Sequence, residues 1–136
     1  MIALLSIKPE FASRIFNGTK KFEYRKIIFK RNVTRVVVYA SAPISMVIGE
    51  FTVEGILHDE LESLWQETQQ QSGISKDFFD NYFSQHSAGY AIVIGQTEQY
   101  STPYKLQEAL GLHPPQSFMY LSCPIKFNIN NLALEL

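Results

Sequence analysis

"GTKKFEYRK", residues 18–26, puts four basic side chains and one acid into a segment with the composition of a β-strand. Just before it, Pro9 suits a first helical turn, and Phe11, Ala12, Ile15 and Phe16 share one helical face. Gly18 sits where a helix end favours a positive φ, so residues 9–17 read as a short helix. The chain then leaves as a strand, with the β-formers Phe22, Tyr24, Ile27, Ile28 and Phe29 among the charges. In an extended chain, Lys21, Glu23 and Arg25 fall on one face and Phe22 and Tyr24 on the other. The aromatic face is expected to pack on the core and the charged face to be displayed. Glu23 can pair with Arg25 and fix its guanidinium, which is what bidentate recognition of a phosphate or a base edge requires. Lys20 reaches the same place from the turn. The plainer alternative is an edge strand kept soluble by its lysines.

Upstream, "IALLSI" (2–7) is an apolar run compatible with a buried strand, and downstream "TRVVVYAS" (34–41) reads as a central one. "SMVIGEFTVEGIL" (45–57) predicts a long strand with Gly49 as a bulge or a point of close approach. Residues 59–70 predict a helix whose inward face is Leu61, Leu64, Trp65 and Thr68. A second helix follows Gly73, with Ser75 as its cap and Phe78, Phe79, Tyr82 and Phe83 turned to the core. "AGYAIVIGQTEQY" (88–100) is a strand, "STPYKLQEALGL" contains a short helix ended by Gly111, and "HPPQSFMYL" turns at its prolines into a last short strand. Strands scattered among short, unevenly spaced helices do not make repeating βαβ units. The expected class is α+β, a curved sheet of five or more mostly antiparallel or mixed strands with the first helix at one mouth.

The 136 residues predict a single domain, 1–136, with its core at about 4–122 and a tail at 123–136. Cys123 is the lone cysteine, and His58, His86 and His113 lack metal-site spacing, so neither a metal nor another cofactor is expected. No apolar run approaches the roughly 18–20 residues that span a bilayer, and the apolar start is too short for a signal peptide; no membrane partner and a cytoplasmic address are the expectation. Charge is unevenly placed. Residues 1–36 hold nine basic side chains against two acids, while the rest holds three against eleven. One basic face built to meet an anion is the reading this invites, a solvated basic edge the alternative.

Gly18, Lys20, Glu23 and Arg25 form G-x-K-x-x-E-x-R, which resembles the signature of the ASCH domain, in the PUA-like superfamily of curved β-barrels. The preceding "LLSIKPEFASRIFNG" and the following "RVVVYAS" and "VIGEFTVEGIL" resemble that family's order of elements, and "PPQSFMYL" is similar to a segment of a prokaryotic subgroup described as predicted transcriptional regulators. The resemblance implies a cleft beside the first helix that binds RNA, another nucleic acid or a nucleotide. Lys20, Glu23 and Arg25 would line it, and Gly18 would let the backbone approach. Lys8 and Ser41 join as candidates by their place at strand ends, and Gln116 and Ser117, after the prolines, as donors and acceptors for a base edge. Some members of the family are enzymes, among them acetylcytidine amidohydrolases and a ribonuclease. In the amidohydrolase type a threonine nucleophile occupies the position held here by Glu23, so a hydrolase reading would rest on Glu23 as a general base toward a 2′-hydroxyl or a water, with Lys20 or Arg25 stabilising the developing anion. Glu50 is a second carboxylate, placed either in the cleft or facing solvent. A module that binds only a protein partner is the third reading, and the oligomeric state is left open.

Overall fold

The structure, a computed structural model, describes residues 1–122; the tail 123–136 lies outside the described residues. The chain runs β1 (Ile2–Ile7), α1 (Pro9–Phe16), β2 (Phe22–Arg25), β3 (Arg35–Ala40), β4 (Met46–Glu60), α2 (Leu61–Thr68) with a 3₁₀ turn at Gln69–Gln71, α3 (Lys76–Tyr82), β5 (Ala88–Tyr104), α4 (Leu106–Leu110) and β6 (Phe118–Leu121). The six strands form one sheet in the order β2-β5-β4-β3-β1-β6. β1 and β3 are parallel and every other neighbouring pair is antiparallel, so the expected mixed α+β sheet is what forms.

β1 is buried on both faces, which explains its unbroken apolar run. Ala3, Leu5 and Ile7 pack under α1 with Phe11, Ala12 and Ile15, while Ile2 and Leu4 join Leu106 of α4 in a separate cluster. A third cluster forms where Tyr24 meets Leu64, Phe79 and Phe83 beneath α2 and α3. α1 ends as expected: Asn17 closes it and Gly18 follows at φ +87°. Gly49 lies at a register shift between β4 and β5 and has no room for a Cβ, because the Phe16 ring and the Glu98 carbonyl fill that space.

Several boundaries differ from the sequence reading. β2 stops at Arg25 instead of running on through Phe29. Phe29 is buried against Phe118, and the Tyr120 hydroxyl accepts from the amides of Lys30 and Arg31, so the chain is drawn away towards β6. β4 and β5 run past their expected ends. Residues 101–104, expected to lead into a helix, extend β5, and Tyr104 pairs with Val47. No helix among the described residues is long and apolar enough to cross a membrane.

Candidate functional site

The edges of the sheet are β2 and β6, and a side chain spans the gap between them. Arg25, at the end of β2, donates from Nη2 to the Ser6 carbonyl (2.9 Å) and to Glu23 Oε2 (3.0 Å). From Nη1 it donates to Ser117 Oγ (3.1 Å) and the Ser117 carbonyl (3.4 Å). The segment carrying Ser117 is tied to β1 by the Ser6 amide, which donates to the Ser117 carbonyl, and by Ser6 Oγ, which donates to the Pro115 carbonyl at 2.6 Å. A cleft of about 470 Å³ opens along this seam, beyond the carboxyl ends of β1 and β3.

The structure brings seven of the expected site residues to that cleft: Lys8, Lys20, Glu23, Arg25, Ser41, Gln116 and Ser117. Gly18 is not among them; its place is the left-handed turn after α1. Glu50 fits neither expectation. It is fully buried and away from the cleft, accepting from Arg35 Nη1 (2.8 Å) and from the Tyr100 hydroxyl (2.6 Å). The roles within the motif are also redistributed. Both Nη groups of Arg25 bond within the protein, and its Nε is buried without a partner among the described residues. Arg25 therefore acts as a clamp that brings charge to the site.

Lys20 is 1% exposed. Its amide donates to the Arg14 carbonyl at the end of α1, and its stem packs against Gly73. Gly73 has φ +67°, and a Cβ added there would lie 2.5 Å from Lys20 Cβ. Nζ donates to the Ser72 carbonyl at 2.7 Å, with the rings of Tyr24 and Phe11 at 5.0 and 5.4 Å. No carboxylate lies within ion-pair distance of it among the described residues. Burial pulls its pKa down to about 8, against the opposing pull of the Glu23 charge. Tyr24 beneath it has its hydroxyl 2.6 Å from Thr68 Oγ1, and burial pushes that phenol up to about 12. The charged side chains lining the cleft are four cations, Lys8, Lys20, Arg25 and Lys26, and one carboxylate, Glu23.

Sequence reasoning missed Lys26, Ser6, Phe78 and Tyr82. It turned Phe78, Phe79, Tyr82 and Phe83, on and just after α3, to the core; Phe79 and Phe83 are buried there, and Phe78 and Tyr82, partly buried and packed against the core, also line the cleft. A pattern of i and i+1 aromatics marks two helix faces, and that signal was present.

The family model of the ASCH domain matches residues 5–116 of the chain. The large ribosomal subunit protein uL22 of Ureaplasma parvum is 30% identical over 123 residues, covering 87% of this chain and 38% of that protein; the chain thus spans well under half the length of that relative. The ASCH domain-containing ribonuclease of Zymomonas mobilis is 28% identical over 124 residues, covering 88% of this chain and 83% of that one. The crystal structure of ASCH from Zymomonas mobilis superposes with a TM-score of 0.89 at 26% identity, covering 96% of this chain and 94% of the other.

Proposed function

Because the chain belongs to the ASCH domain family, we propose that its cleft binds RNA and takes in one unpaired nucleotide of a single strand. The observation that carries this reading is Lys20, a cation almost wholly withdrawn from water that feels the Glu23 charge but has no carboxylate at ion-pair distance among the described residues. A charge buried in this way is destabilised until an anion enters, and a phosphate supplies one. The volume of about 470 Å³ supports a single nucleotide, and a pocket of this size cannot hold a duplex. Gln116 and the Glu23 carboxylate offer polar groups to a base edge.

RNA cleavage at the same site is a second reading, and two observations favour it. A relative with which this chain shares most of its length is named a ribonuclease. With a pKa of about 8, Lys20 also holds a usable fraction of neutral amine near physiological pH. That amine would take the proton of a 2′-hydroxyl as its oxygen bonds to the adjacent phosphorus; the P–O5′ bond breaks to leave a 2′,3′-cyclic phosphate, the departing 5′-oxygen takes the proton back from the Lys20 ammonium, and Lys26 stabilises the charge on the phosphoryl oxygens. Glu23, paired with Arg25, is placed to fix the clamp and not to act as a nucleophile.

The two roles have opposite pH dependence. If Lys20 serves as a bound cation, RNA affinity falls as pH rises through about 8; if it serves as a base, turnover climbs to a plateau above that pH. Filter binding and cleavage of a short single-stranded RNA between pH 6.5 and 9.5 would measure both. Lys20→Met should weaken binding about tenfold or more, as expected for loss of a charge-assisted contact. No detectable binding by the unaltered protein at low salt would overturn the RNA reading.

A further inference from the structure

One wall of the cleft is aromatic. Phe78 and Tyr82 stand four residues apart on α3, with their rings nearly parallel at 11° and centroids 6.4 Å apart. The edge of Phe78 is held by Phe11 at 4.8 Å, and Tyr82 is braced by Phe83 at the same spacing. Both rings are partly buried and line the cleft. Charge sits over them. Lys8 Nζ lies 5.2 Å from the Phe78 centroid and Lys26 Nζ lies 4.7 Å from that of Tyr82.

Both lysines are exposed, and each lies over a ring that lines the cleft. A cation resting on a solvent-exposed ring is held more weakly than a stacked base. An entering base can therefore displace the ammonium, whose long stem keeps it close by to meet a phosphate. The lysines come from different elements: Lys8 leads into α1 and Lys26 follows β2, each over its own ring. Ile27, 66% exposed beside Lys26, adds an apolar surface to the same cleft.

Resting on the RNA reading above, we propose that Phe78 and Tyr82 form a base-stacking wall and that Lys8 and Lys26 bind the phosphates on either side of the stacked nucleotide. The ligand is then an internal, unpaired nucleotide of a strand. A free mononucleotide, or a nucleotide at a chain end, would leave one lysine without a phosphate.

The test uses fluorescence anisotropy with three ligands: a five-residue single-stranded RNA, a chain of abasic ribose phosphates of the same length, and a nucleoside 5′-monophosphate as competitor. Tyr82→Leu, which leaves an apolar side chain against Phe83, should weaken the RNA about tenfold while leaving the abasic chain within about twofold. Lys26→Gln should weaken both polymers and lower the slope of log affinity against log salt by about 0.7. The monophosphate should compete far more weakly than the RNA. Phe78→Leu repeats the stacking test, and thermal melting shows which variants keep the fold; if Phe78→Leu does not, Tyr82→Leu decides alone. Equal losses on RNA and abasic chain, no loss on either, or a monophosphate as tight as the polymer would overturn this assignment while RNA binding stands. Failure of the unaltered protein to bind the RNA at low salt would overturn both readings.

Discussion

Lys20 has opposite effects on stability and on binding. Below about pH 8 the folded and unfolded chains both hold its proton, and the full cost of the buried ammonium is present. Between about 8 and the ordinary lysine value of 10.5 the unfolded chain keeps the proton that the folded one has released, so the Lys20 contribution to stability rises with pH. Integrated over that window the gain is about 3 kcal/mol. Other groups titrate there too, so the quantity to measure is the difference in unfolding free energy between the unaltered protein and Lys20→Met, by urea denaturation at pH 7 and pH 10. The unaltered protein should gain on the variant as pH rises. A constant difference would mean that Lys20 is not held in a dry environment. Gly73 makes that environment possible: its bare Cα lies against the Lys20 stem in a left-handed conformation that a side chain would strain.

At the scale of the element, α3 is the part of the site most exposed to perturbation. Seven residues are too few for a helix to persist alone, so it depends on its cap and its anchors. Ser75 Oγ accepts from the Phe78 amide at 3.1 Å, and Phe79 and Phe83 pack edge-on against each other and against Tyr24. Ser75→Ala should cost about 1 kcal/mol in urea unfolding, and Ser75→Asp should restore most of it. Since the same helix carries Phe78 and Tyr82, the alanine variant should also weaken ligand binding although Ser75 does not line the cleft. A loss of binding without any loss of stability would show that the cap is not what holds this wall.

At the scale of the whole molecule, the seam between β2 and β6 is held by Arg25, whose partners Ser6 and Ser117 lie 19 and 92 residues away in the chain. Removing it would leave Glu23, itself 7% exposed, with an unpaired buried charge. Arg25→Met should therefore cost about 3–5 kcal/mol. Adding Glu23→Gln should recover part of that loss, because the stranded charge disappears. A double-mutant cycle in chemical denaturation measures the coupling; effects that add within about 0.5 kcal/mol would mean the pair does not act as a unit.

The sequence by itself determined what depends on near neighbours. The end of α1 at Gly18, the Ser75 cap, the left-handed Gly111 after α4 and the apolar β1 and β3 all follow from residue types within a turn or two. Period-2 spacing likewise joined Glu23 to Arg25 on one face. Only the tertiary structure decided what those groups meet. Arg25 read as a guanidinium that Glu23 holds out to a ligand until Ser6 and Ser117 took its Nη donors. Glu50 read as a strand carboxylate until Arg35 and Tyr100 enclosed it, and Phe78 and Tyr82, packed against the core, also came to line the cleft. Propensity and periodicity act over a few residues. Which strand edge faces which, and which of two aromatic faces is buried, is set by packing between segments tens of residues apart, and no local pattern encodes that.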